Sequence, residues 1–401
     1  VKVNDIVGHK KRRHRSSRKH RKIQPDNLYH ADAKKLDEVA KQKGRDINHL
    51  EDLVIFYGSS GAKQAIAALR KLESNPQETT IKWDGSPALI FGRDDQGEFI
   101  LTDKSGFSAT TYDGRVKSAD ELQSMFLNRK LKDPSKAGER KKFAQRMASM
   151  WNTFESATPE SFRGYVHGDL LYSSTPNEVK GKLNFQPNTT LYSVEPSSDI
   201  GKKISNSKIG IVIHAYIDLE GNKSKPDSSI FQGSELLVMP PVYITDSPEI
   251  DDAAVKQIED FVSSNAQVID KFLSIPPEMK MGDWDNILYA YINASTKAND
   301  LDDWSPKNFL NWVAGSKLSN PKKQKATDWV KNNPNGYQAV FNTVSGLMKA
   351  KNAIIAQLDK QPADIKSFTN GQEGGEGYVI GKDIKLVNRG GFTAANFARP
   401  R

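Results

Sequence analysis

The chain has 401 residues, of which 37% are hydrophobic, and it contains no cysteine. Disulfides, cysteine nucleophiles and thiolate metal sites are therefore excluded, and no run of about 18 apolar residues is present to span a membrane. The formal charge is +9, yet residues 9–22 alone hold nine Lys/Arg and no acid, so the remainder of the chain is charge-balanced.

Residues 1–24 read as a disordered basic arm, because like charges repel and almost nothing there can be buried. Such an arm binds polyanions through phosphate contacts, with little sequence reading. Residues 25–78 read as an N-terminal helical segment. The stretch 33–43 mixes Ala, Lys, Leu and Glu. In 59–72, Ala62, Ile66, Leu69 and Leu72 recur at helical spacing, and Ser59 or Ser60 can cap the helix.

The pattern changes at Thr79. From there to Gly106, short apolar runs alternate with Asp-Gly and Gln-Gly, which predicts a strand, a tight bend, a strand, a hairpin and a third strand. Residues 118–151 return to helix. Strands are expected at 164–171, 190–194 and 208–219. The region 246–368 reads as a helical insertion, with helices at 251–273, 283–294, 306–313 and 337–358, and with Pro276, Pro277 and Pro321 as breaks. Residues 369–401 revert to strand, with 378–380 and 384–387 as a hairpin across a Gly-Lys-Asp turn. The expected architecture is α+β: a strand-rich core over 79–245 and 369–401, interrupted by the insertion.

One hexapeptide carries chemistry: Lys82-Trp83-Asp84-Gly85-Ser86-Pro87. A lysine at a strand end can sit at the mouth of a pocket, and an amine attacks phosphorus only when deprotonated. Asp84 alternates to the same side as Lys82 if strand geometry continues. Gly85 lets the backbone bend and approach a nucleotide closely.

This motif resembles the nucleotide-accepting motif of the covalent nucleotidyltransferases, the ATP-dependent nucleic-acid ligases and capping enzymes. Four further segments resemble the motifs that follow it in that superfamily, in the same order. SFRGYVHGDLLYS offers Asp169 in the acidic position. IGIVIHAYIDL offers Tyr216, with His214 as the alternate, for contact with the base. GGEGYVI offers Glu376, and IKLV offers Lys385, with Lys382 as its alternate, for the α-phosphate. The resemblance implies a nucleotidyltransferase core of antiparallel sheets, of the ATP-grasp-like ligase adenylation type. It implies that ATP is the cosubstrate, that Asp169 and Glu376 hold Mg²⁺ or Mn²⁺, and that Lys82 forms a covalent lysyl-AMP. Lys104 and Arg93, on the strands after Lys82, are candidates for triphosphate or acceptor contacts.

The details narrow the substrate. Asp169 stands where ligases most often carry Glu. Pro87 stands where many DNA ligases and capping enzymes carry Arg, whereas Ser86 matches the small hydroxyl residue of phage-type RNA ligases. RNA is thereby favoured over DNA, and partners are expected to be nucleic-acid ends bearing a 5′-phosphate and a 3′-hydroxyl, with no membrane. A cytoplasmic setting is expected, in a phage-infected cell, or a virion. The competing reading is a catalytically degenerate member of the same fold with a nucleic-acid-binding or virion structural role.

Other signals are weaker. His167 alternates with Asp169 on one strand, so both can face a site, although a strand-surface histidine is the plainer reading. Lys322, Lys323 and Lys325 lie near Trp312 and Trp329, and can supply phosphate contacts and stacking or simply form a solvated turn beside core tryptophans.

Overall fold

The computed structural model describes residues 48–390 apart from 84, 132, 232, 234, 241, 245, 299, 362, 370, 375, 376, 382 and 383. The basic arm, the helix expected over 33–43, Asp84, Glu376 and Lys382 lie outside the described residues.

In chain order, β1 (Asn48–His49) leads into helix α1 (Asp52–Ser74). Strands β2 (Thr79–Ile81), β3 (Ala88–Arg93) and β4 (Phe99–Asp103) follow, then α2 (Lys104–Phe107), α3 (Ala119–Asn128), α4 (Ala137–Ser149) and α5 (Trp151–Ala157). Next come β5 (Gly164–Tyr172), β6 (Asn177–Val179), β7 (Lys182–Phe185), β8 (Thr190–Val194) and α6 (Asp199–Ser205). Strands β9 (Ile209–Ile217), β10 (Lys223–Ser224) and β11 (Leu236–Met239) precede five helices: α7 (Asp252–Leu273), α8 (Trp284–Ala298), α9 (Pro306–Gly315), α10 (Asn320–Asn332) and α11 (Pro334–Leu358). The described chain ends with β12 (Ile365–Thr369), β13 (Gln372–Glu373), β14 (Tyr378–Ile380) and β15 (Ile384–Leu386).

The architecture is α+β. The strands form three sheets, ordered β1-β15-β14-β2, β10-β9-β5-β3-β4 with β11 on β9, and β13-β12-β8-β7-β6. Pairing is antiparallel except for β1 on β15 and β11 on β9. Several strands were not visible in the sequence pattern, β6, β7, β10 and β11 together with two-residue β1 and with β12, which joins the third sheet against β8. β1 and β12 show why. Both are short, and pairing across more than a hundred residues leaves no local signature.

The helices obey their patterning with two local differences. α1 begins before Ser59 and is kinked at Gly58, which has φ of 64°. The cap of its second half comes from α7. Asp270 accepts from the Ser59 amide at 2.7 Å and from its hydroxyl at 2.8 Å. A Cβ on Gly58 would lie 2.3 Å from Asp270 Oδ1, so only glycine fits there. Pro321 opens α10 rather than breaking a helix, because the first helical turn needs no amide donor.

The helices over 246–368 share one apolar core with α1. Val255, Val262, Ile269 and Phe272 of α7 form a seam on one face. They pack with Leu53, Ile66 and Leu69 of α1, Phe341 and Val344 of α11, and Tyr378, Ile380 and Leu386 from β14 and β15. A second core lies between α3–α5 and one face of β3-β4-β5-β9, and a third gathers Trp83, Phe185 and Tyr192.

Charge is buried inside the first core. Lys351 of α11 donates to both Glu51 carboxylate oxygens at 2.8 and 2.7 Å, and Arg389 Nε donates to Glu51 Oε1 at 2.6 Å. Arg389 also pairs with Asp52, and its Nη1 reaches Asn293 Oδ1 at 3.2 Å. Burial pushes the Glu51 carboxyl up, but Lys351 and Arg389 pull harder and hold it far below the usual carboxylate range. Beside it, burial and then Arg389 hold the His49 imidazole well below 6.5.

Two outcomes are expected. Lys351→Met leaves Glu51 short of a cation in a dry site, so the urea midpoint should fall by an amount equivalent to about 3–5 kcal/mol. Unfolded His49 binds a proton near pH 6.5 that the folded site rejects. Its contribution to stability is thus intact above about 6.5 and lost as pH falls toward the folded value. The slope of thermal stability against pH over 5 to 7 should flatten in His49→Gln.

Candidate active site

The site forms where two sheets approach through the chain segment 82–87. β14 pairs with both β2 and β15, with Ile81, Tyr378 and Leu386 in one register row and Thr80, Val379 and Lys385 in the next. The first row is buried against the helical core. Alternation therefore turns Thr80, Val379 and Lys385 to the opposite face, and Lys82, one residue beyond Ile81, continues on that face. Lys82 is fixed by its backbone: its amide donates to Gly377 O at 3.0 Å. Gly377, at φ of 87°, lies so close to β15 that a Cβ would sit 2.0 Å from Leu386 O.

After Lys82 the chain crosses to the second sheet. The Trp83 ring turns away from Lys82 into the third core, 4.8 Å from Tyr192 and 6.2 Å from Phe185. Gly85 lies flat on β5, where a Cβ would meet Leu170 O at 2.6 Å and Asp169 Cβ at 2.8 Å. Two backbone bonds hold this contact, Ser86 N to Leu170 O at 2.8 Å and Leu170 N to Pro87 O at 3.1 Å. The connection between β2 and β3 is thus pressed against Asp169.

On β5, Val166, Gly168 and Leu170 face α3–α5, while Tyr165, His167 and Asp169 face the other way. A bulge between His167 and Gly168 leaves His214 of β9 as the extra residue on the Asp169 side. His214 Nε2 and Asp169 Oδ2 are 3.0 Å apart and share a hydrogen. The His167 ring lies 5.9 Å from that of His214, and its Nε2 is buried without a partner. Burial, then the neighbouring His214, lowers the His167 pKa, with Lys104 and Lys223 adding to the effect and Asp169 opposing it. Lys104 and Lys223 bring positive charge to this one carboxylate and its two histidines, which is a setting for an anion.

The structure places Gly85, three residues after Lys82, against Asp169, puts Lys104 within electrostatic reach of His167, and sets Lys385 on the strand next to β14, whose preceding residue Gly377 holds the Lys82 amide. It separates two others. Arg93 pairs with Gly164 at the far end of β3, five residues from Ala88 opposite Asp169, or about 16 Å at ~3.3 Å per residue. Its guanidinium is consumed by carbonyl oxygens, Pro159 at 3.0 Å, Gly97 at 3.0 Å and Thr158 at 3.1 Å, so it ties α5 to the sheet rather than meeting a triphosphate. Tyr216 pairs with Val166 on the helix-covered face. Its ring packs on Phe162 and its hydroxyl donates to Arg163 O at 2.7 Å. The bulge decides this, because it puts His214 at the site in its place.

The cluster in the helical region is engaged in internal contacts. Trp329 donates to Phe272 O at 3.1 Å, and Trp312 packs at the edge of the helical core. Lys322 pairs with Asp283 at 2.6 Å and Lys323 caps Ala314 O at 2.7 Å. Lys223 was missed by sequence reading, since a two-residue strand carries no periodic signal.

Among the described residues, no group of three His, Asp or Glu is arranged to hold a metal ion, and no helix is long and apolar enough to cross a membrane. The model of the Family of unknown function (DUF6267) matches residues 45–401, and the chain belongs to that family. No curated protein and no solved structure matches it.

The geometry around His167 makes a measurable statement. Asp169 opposes the lowering of its pKa, so Asp169→Asn should lower it further. A histidine NMR titration reads this directly, and an unchanged or raised value would contradict the arrangement.

Proposed function

We propose that the chain is a covalent nucleotidyltransferase of the ligase type: an ATP-dependent polynucleotide ligase, with RNA favoured over DNA. The observation that supports the reading is that Gly85, three residues after Lys82, lies against Asp169, while the Lys82 amide bonds to Gly377 O beside the hairpin that carries Lys385. On this reading the sheets bearing β2-β14-β15 and β3-β5-β9 are the nucleotidyltransferase (ATP-grasp-like) core, and 246–368 is its insertion.

The chemistry follows from the groups present. Lys82 Nζ attacks the α-phosphorus of ATP, and an N–P bond forms as the P–O bond to pyrophosphate breaks. Lys385 and Lys104 neutralise charge that builds on the phosphoryl oxygens. His214, the alternate to Tyr216, is oriented by Asp169 and lies beside the nucleotide. The AMP then passes to a 5′-phosphate, and a 3′-hydroxyl displaces it.

The donor set suits a hard cation. Asp169 offers an oxygen ligand, the resemblance implies Glu376 as the second, and protein ligands this few would fit Mg²⁺ or Mn²⁺ completed by phosphate and water. The ion would offset the phosphate charge.

Intact mass tests the reading. Protein freed of preloaded nucleotide with pyrophosphate, then incubated with ATP, Mg²⁺ or Mn²⁺ and pyrophosphatase, should gain one AMP, and Lys82→Ala should gain none. No gain with either metal rejects the covalent step and favours a member of the fold that binds nucleic acid without catalysis.

A further inference from the structure

Outside the basic arm the chain is charge-balanced, but the balance is not uniform. Residues 129–146 hold eight Lys/Arg against two acids, so a net +6 is gathered in one stretch and the rest of the body is correspondingly acidic. This stretch contains most of α4 and the turn before it.

The same stretch lines a cleft of about 350 Å³. Its cations are Arg129, Lys136 and Arg140, against the carboxylates of Asp103 and Glu139, and its aromatic walls are Phe126 and Phe143. Phe126 and Phe143 meet edge to face at 4.9 Å, and Phe143 is half-buried. Arg129 is held rigid by Asp103 through two hydrogen bonds of 2.7 Å. Arg140 gives one N–H to Phe126 O at 3.2 Å, which fixes its plane and leaves the rest of its fork for a ligand. Arg146 lies over the outer side of Phe143, 5.6 Å from the ring centre.

The cleft lies on the helix-covered side of the sheet, at the end of β4 that leads to Lys104. Asp103 lines it, and the next residue is Lys104, whose charge is felt by His167. Asp103 pairs with Leu89, one residue from Ala88, which is opposite Asp169.

We infer that this cleft binds single-stranded nucleic acid, with backbone phosphates on Lys136 and Arg140 and a base against Phe143. Concave shape, fixed guanidinium planes and an aromatic wall suit a strand with stackable bases better than a flat anionic surface. The path of the strand toward Lys82 rests on the nucleotidyltransferase reading. Occupancy of the cleft does not.

Photocrosslinking to the full chain tests it, because the arm can also bind polyanions and must be told apart. The probes are a 5′-phosphorylated single-stranded RNA carrying 4-thiouridine and the matching DNA carrying 5-iododeoxyuridine. Crosslinks are expected on the peptide 143–146 with at least one of them. The double variant Lys136→Gln/Arg140→Gln should lose that crosslink and weaken binding about tenfold. Its slope of log affinity against log salt should flatten by about 1.4, at ~0.7 per phosphate contact on a single strand. Crosslinks confined to 9–22 overturn the inference, as does a variant that retains the 143–146 crosslink at unchanged affinity. Crosslinking at 143–146 in Lys82→Ala supports the cleft. The same crosslink in wild-type protein that forms no AMP adduct leaves the cleft standing and rejects only the covalent chemistry.

Discussion

Four charges buried together hold the frame on which the candidate site depends. Glu51 and Asp52 open α1, Lys351 lies in α11, and Arg389 follows β15. None of these side chains is more than 3% exposed. Each would be costly to bury alone, and together they sum to zero and hydrogen-bond to one another. Because the partners come from opposite ends of the sequence, the network fixes where β15 lies against the helices. β15 carries Lys385, and β14 beside it carries the backbone that holds Lys82. The charge network thus acts on the site through the sheet, without touching it.

The sheet β1-β15-β14-β2 then has two unequal faces. Ile81, Tyr378 and Leu386 pack against the helical core, which leaves Thr80, Val379 and Lys385 facing away from it. The helices over 246–368 are therefore part of the support for this sheet. Their tryptophans and the Lys322–Asp283 pair are spent on internal contacts. That arrangement explains why a lysine-and-tryptophan cluster that looked suited to nucleic acid in the sequence belongs to packing, while the basic stretch beside Lys104 lines an open cleft.

Close backbone approach does the remaining positioning. Gly377 against β15 and Gly85 against β5 bring three segments nearer than any side chain would allow. Lys82 lies between these two contacts, and the large Trp83 ring anchors the segment in the third core. Rigidity of this kind favours a group that must meet a substrate in one orientation. The paired His214 and Asp169, with His167 alongside, add a polar wall at which charge is already organised.

Much was legible in the sequence where the signal was local. Short apolar runs found β5, β8 and β9, helical spacing found α7, α8 and α11, and the order of short motifs put forward Lys82, Asp169 and Lys385 as candidates. Charge counting separated a basic arm from a balanced body. The sequence could not say which face of β9 meets Asp169, because a single bulge reverses the alternation and exchanges Tyr216 for His214. Nor could it say that Arg93 is saturated by carbonyl oxygens, since those acceptors arrive from a helix end more than sixty residues on. Identity and spacing along the chain determined which elements form and which residues have the right chemistry. Only the tertiary structure decided which of them meet, because register, bulges and buried charge pairs are set by segments hundreds of residues apart and leave no trace in local periodicity.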